Sequence, residues 1–87
     1  MRTKKYRFIA DSGHAWLEVP IEELKTLGIA DKISTYSYMN NGMAYLEEDC
    51  DAPVFAAAKK WEKWQGNIRE IYQNKCRIRN YRSYFVN

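Results

Sequence analysis

The chain has 87 residues, 46% hydrophobic and 15% aromatic, with a formal net charge of +3. That length admits one domain, spanning 1–87, and no second core. Four Gly and two Pro exclude a low-complexity chain, and no apolar run approaches the roughly 20 residues that a bilayer needs.

Residues 4–11 alternate Tyr6, Phe8 and Ala10 against Lys5, Arg7 and Ile9, the period of a strand. Ser12-Gly13 is a turn, and 14–19 (HAWLEV) is a second strand placed to pair with the first. Pro20 opens a helix that carries Ile21, Leu24 and Leu27 on one side. Gly28 closes it as the residue just beyond the C-cap.

The stretch 33–55 (ISTYSYMNNGMAYLEEDCDAPVF) reads as a hairpin running into a helix. Residues 33–39 alternate as a strand, Asn41-Gly42 suits a type I′ turn, and 43–46 return. Glu47, Glu48, Asp49 and Asp51 form an acidic corner, and Asp51 is the expected N-cap of a helix reaching about residue 65. Val54, Ala57, Ala58, Trp61 and Trp64 follow a helical stripe. Residues 67–73 and 76–85 read as a last strand pair around Asn74-Lys75. The expected fold is α+β: a mostly antiparallel sheet of about six strands with one short and one longer helix.

Charge is unevenly spread. Residues 1–7 are wholly basic in their charges, 8–58 carry nine acids against Lys25 and Lys32, and 59–87 carry eight bases against Glu62 and Glu70. Such a chain can fold through attraction of its ends for its middle, or present a basic face to phosphates. Cys50 and Cys76 are expected to be reduced, part-buried packing residues.

Three groups of residues carry candidate chemistry. In CRIRNYRSYF, strand alternation sets Arg77, Arg79 and Tyr81 on one face and Arg82 and Tyr84 on the other. Arginines beside tyrosines offer phosphate donors and stacking surfaces. Arg77, Arg79 and Arg82, with Tyr81, Tyr84, Trp64 and Lys60, are therefore the candidate ligand-binding residues. The structural alternative is that these arginines pair with the acidic middle.

Tyr36, Tyr38 and Tyr45, with Glu47, Glu48 and Asp49, are the candidate partner-binding residues. Tyrosines serve as contact residues, and carboxylates spaced along a surface imitate phosphates toward a basic partner. His14, three residues after Asp11, suggests an Asp–His pair, a third and weaker reading as a small hydrolase or nuclease. One histidine builds no zinc site, and the acidic corner lacks the spacing of a calcium loop. No metal and no cofactor are expected.

The segments DSGHAWLEVP, LGIADKIS, YSY, G-x-x-YLEEDCD and IRNY resemble a family of small bacteriophage and mobile-element proteins. The resemblance implies a host-modulating or counter-defence protein in the cytoplasm of a bacterial host cell, acting by stoichiometric binding. MRTKKYRFIADS has no apolar signal region, which agrees with that location. The expectation is a non-enzymatic, homo-oligomeric binding protein that captures a phosphate-bearing ligand, a nucleotide or nucleic acid. The alternative is an inhibitor of a host protein that uses the hairpin tyrosines and the acidic corner.

Overall fold

The structure, a computed structural model, describes residues 5–73 and 77–86. One mixed sheet contains β1 (Tyr6–Ala10), β2 (Ala15–Pro20), β3 (Tyr38–Asn40), β4 (Met43–Glu47), β5 (Ile68–Tyr72) and β6 (Arg82–Ser83). The strand order is β5-β1-β2-β4-β3-β6, and every pairing is antiparallel except β1 with β5. Two short helices, α1 (Ile21–Thr26) and α2 (Ala52–Ala58), complete an α+β domain. No helix among the described residues is long and apolar enough to cross a membrane.

Strand alternation divides the apolar residues into two layers. Tyr6, Leu17, Val19, Ala44 and Leu46 face the helices and pack with Leu24 and Phe55. Ile9, Trp16 and Tyr45 lie on the far face, joined by Ile78. Two turns follow from local residue chemistry. Asn41 (φ 51) and Gly42 (φ 80) close the β3–β4 hairpin with both central residues left-handed. At the end of α1, Gly28 (φ 75) donates its N–H to Lys25 O while Ile29 N donates to Leu24 O. That pair of bonds is a Schellman motif.

The hairpin strand expected at 33–39 shortens to Tyr38–Asn40. Asp51 is the cause. It stands at the N-cap of α2 but makes no side-chain cap bond there. Its carboxylate instead accepts hydrogen bonds from Ser34 N, Ser34 Oγ and Ser37 Oγ, and Ser37 Oγ accepts from Glu47 N. Asp51 and Ser37 are buried. This polar knot folds 33–37 off the sheet edge, since the buried Ser37 hydroxyl and Asp51 carboxylate have no water to fall back on.

α2 stops at Ala58, well short of 65, because Lys60 takes a left-handed conformation (φ 61). Lys60 N bonds Ala57 O and Trp61 N bonds Ala56 O. The reversal lays Trp61 against Tyr6 and Phe55, and Trp64 against Phe8. Burying two indoles on β1 outweighs the bonds of a longer helix.

The C-terminal strand pair is also corrected. β5 joins β1 in parallel, and β6 pairs with β3 at the opposite edge. Between them the chain crosses the far face through a 3-10 turn (Arg77–Asn80), called the strap below. Asn74, Lys75 and Cys76 lie outside the described residues. The strap covers part of the far face of the sheet.

A left-handed lysine costs about 1 kcal/mol relative to glycine. Glycine's greater freedom in the unfolded chain offsets part of this. Lys60→Gly is thus expected to leave stability unchanged or raise it by up to about 1 kcal/mol, read as a shifted urea midpoint at constant slope. An ordinary helix-interior site would instead lose about 1 kcal/mol.

Candidate functional site

The far face presents Arg7 and Ile9 from β1, Trp16 and Glu18 from β2, Tyr45 and Glu47 from β4, and Tyr38 from β3. The pairings Ile9–Trp16, Trp16–Glu47, Glu18–Tyr45 and Tyr38–Tyr45 place these side chains together. Ile78 rests on Ile9, Trp16 and Tyr45, so the strap divides the face into two clefts.

The larger cleft, about 360 Å³, is lined by His14, Trp16, Tyr36, Tyr38, Glu47, Asp49, Cys50 and Arg79. Trp16 is only 2% exposed, and its Nε1 has no hydrogen-bond partner among the described residues. Tyr38 meets its ring edge-on, with centroids 6.3 Å apart, and the His14 ring lies at 5.9 Å. The Arg79 guanidinium sits 5.5 Å over the same indole. Arg79 is held there by Asp11, through Nε to Oδ2 at 2.8 Å and Nη2 to Oδ1 at 3.2 Å.

Asp11 also accepts the Gly13 and His14 backbone N–H groups. The Arg79 guanidinium first, and then these amides, hold its carboxyl well below the usual carboxylate range. The expected Asp11–His14 side-chain pair does not form. The imidazole turns to Glu47 instead, with Nδ1 3.6 Å from Oε2.

Glu47 organises the acidic corner. Its Oε1 accepts the N–H groups of Asp49 and Cys50 at 2.9 and 3.0 Å. Cys50 is exposed rather than part-buried. Partial desolvation by the cleft wall, and then the neighbouring Glu47 carboxylate, push its thiol pKa up. A raised thiol pKa is the opposite of activation. Among the described residues no group of three or more His, Cys, Asp or Glu stands in a metal-binding arrangement.

The smaller cleft, about 280 Å³, is lined by Arg7, Ile9, Tyr45, Gln73, Arg77, Ile78 and Tyr81. Arg7 Nε pairs with Glu18 Oε1 at 3.0 Å, and the Tyr45 hydroxyl donates to Glu18 Oε2 at 2.9 Å. Burial and the Glu18 carboxylate together raise the Tyr45 phenol pKa strongly. Tyr45 and Tyr81 stand with ring centroids 5.1 Å apart.

The basic aromatic strand expected near the C-terminus is therefore not one surface. Arg77 and Tyr81 line the smaller cleft, while Arg79 lines the larger one in its pair with Asp11. Arg82 is exposed on β6 opposite Met39, a residue of the helix-side layer. Tyr84 is 1% exposed, with its hydroxyl donated to Ala30 O, so it has no free ring face for stacking. Trp64 packs on Phe8 and Trp61, and Lys60 lies beyond the end of α2. Lys59, the neighbour of Lys60, is bound to Glu23 at 2.6 Å over the Tyr6 ring, on the helix side.

The partner-binding group is held together better. Tyr36, Tyr38, Glu47 and Asp49 share the larger cleft, and Glu48 is exposed beside it. Tyr45 differs: it is buried and hydrogen-bonded to Glu18. Trp16 as the shared floor was within reach of the sequence, because the Ser12-Gly13 hairpin puts it opposite Ile9. The Asp11–Arg79 pair, 68 residues apart, has no local signal.

Asp11→Asn keeps an oxygen for the two backbone amides and removes the charge facing Arg79. With a depressed folded-state pKa, the contribution of Asp11 is present above the unfolded carboxyl's range and lost as pH falls through the folded value. The stability gap between wild type and Asp11→Asn is thus expected to hold steady above about pH 5 and close below about pH 4. Thermal unfolding from neutral to acid pH measures it.

No family model, curated protein or solved structure matches the chain, so geometry and residue chemistry carry the functional reading.

Proposed function

We propose that this protein is a non-catalytic binding module that docks a basic segment of a partner protein in the larger cleft. The observation that carries this reading is the convergence of Tyr36, Tyr38, Glu47 and Asp49 around the buried Trp16. Aromatic faces attract ammonium and guanidinium groups, and carboxylates at the rim supply the counter-charge. The cleft already holds one cation in this way, with Arg79 stacked on Trp16 and paired with Asp11.

Tyr36 is 71% exposed at the mouth, the kind of aromatic anchor that dominates protein interfaces when covered. Glu48 and Asp49 extend the negative rim. A partner surface that binds this rim is one that otherwise meets phosphates, so docking blocks nucleic-acid contact by competition. The resemblance to phage and mobile-element proteins supports a host protein as the partner and stoichiometric inhibition as the mode of action.

Fluorescence anisotropy with a labelled arginine-rich peptide tests the proposal, using an acidic peptide of equal length as control. Tyr36→Ala and Asp49→Lys are each expected to weaken binding by about tenfold or more without moving the thermal midpoint. Both residues are exposed or line the mouth, and neither side chain supports the core. Equal binding by wild type and both variants overturns the proposal.

A further inference from the structure

We infer that the smaller cleft is a separate anion site, which takes the phosphate groups of a nucleotide. β1 and β5 run parallel in a register that sets Arg7 directly beside Arg69 on the far face. Like charges directly across a strand pair repel. The strap then adds Arg77 to the cleft that Arg7 lines. Glu18 is the acid paired with Arg7, and both of its oxygens are engaged, one by Arg7 Nε and the other by the Tyr45 hydroxyl. Among the described residues, Arg69 and Arg77 make no ion pair. Arg7 thus has one arginine neighbour on β5 and another lining its cleft, while the acid it pairs with has both oxygens engaged, an arrangement that an anion relieves.

The rest of the lining suits a phosphate carried on a planar ring. Arg77 and the remaining N–H groups of Arg7 supply charged donors in forked geometry, and Gln73 adds an amide. Ile9 and Ile78 give an apolar wall, and Tyr81 presents a half-buried ring. A volume of about 280 Å³ fits a diphosphate with part of its nucleoside, not a folded nucleic acid. Ile78 and the strap separate this cleft from the larger one, so the two sites are distinct in residues and opposite in charge.

Calorimetric titration and thermal shift with ADP, inorganic pyrophosphate and adenosine test the inference, each at low and moderate salt. ADP is expected to raise the thermal midpoint by several degrees at low salt and by less at moderate salt. Pyrophosphate is expected to bind more weakly, and adenosine not at all. Arg77→Ala should weaken ADP by about tenfold, with Arg69→Ala weakening it by a smaller factor. In both variants the unliganded midpoint should match or exceed wild type, because repulsion is relieved. Silence of both ADP and pyrophosphate overturns the inference. So does adenosine binding as well as ADP, undiminished ADP affinity in Arg77→Ala, or a marked loss of unliganded stability in both variants.

Discussion

The seating of Ile78 between Ile9, Trp16 and Tyr45 decides what the far face of the sheet becomes. A strand end at one edge and a strand start at the other must be joined by chain that crosses something. A single buried isoleucine fixes the crossing point. In a 3-10 turn successive side chains splay by about a third of a turn, so the residues flanking Ile78 leave on different sides. Arg77 enters one cleft and Arg79 the other. Without this anchor the face would be one broad aromatic surface, and the two guanidinium groups would have no assigned places.

Electrostatics orients what packing anchors. Arg79–Asp11, Lys59–Glu23 and Arg7–Glu18 each tie a basic end of the chain to its acidic middle. Each pair sets a more exposed base against a more buried acid, so it fixes position as well as adding to stability. Lys59 is drawn to the helix side, and Arg79 is held over the Trp16 ring. Two regions keep charge of one sign after this pairing. Glu48 and Asp49 remain on the acidic corner, and Arg69 and Arg77 remain beside Arg7. Both candidate sites occupy those leftovers, on either side of one strap.

Features governed by near neighbours were legible in the residues. Asn41-Gly42, the Gly28 closure and the β1–β2 hairpin each depend on a few contiguous positions, and each forms as expected. Tyr38 and Glu47 were also legible as neighbours, because the β3–β4 hairpin sets them on one face, whereas Tyr36 reaches the cleft from the segment that folds off the sheet edge. What was hidden depends on distant partners. Asp51 has the spacing of a cap, yet two serines upstream hold its carboxylate. The apolar stripe through Trp61 and Trp64 fits a helix, but the indoles gain more against β1. CRIRNYRSYF alternates like a strand, and only β3, on the far side of the sheet, reveals that just two of its residues pair. Periodicity reports which residues want burial, not which surface buries them.

Because β6 completes the sheet against β3 and the strap precedes it, neither cleft exists until residues 77–84 have docked. The two hairpins are local and close early, whereas β5 and β6 each pair with strands far behind them in sequence. Loop closure over such separations is slow relative to hairpin formation. During synthesis, Trp16 and Tyr45 therefore stay uncovered until residues 77–84 emerge, and the two candidate clefts form after the hairpins. A change that hinders the docking of residues 77–84 would act on this step, leaving the hairpins formed and the clefts unmade.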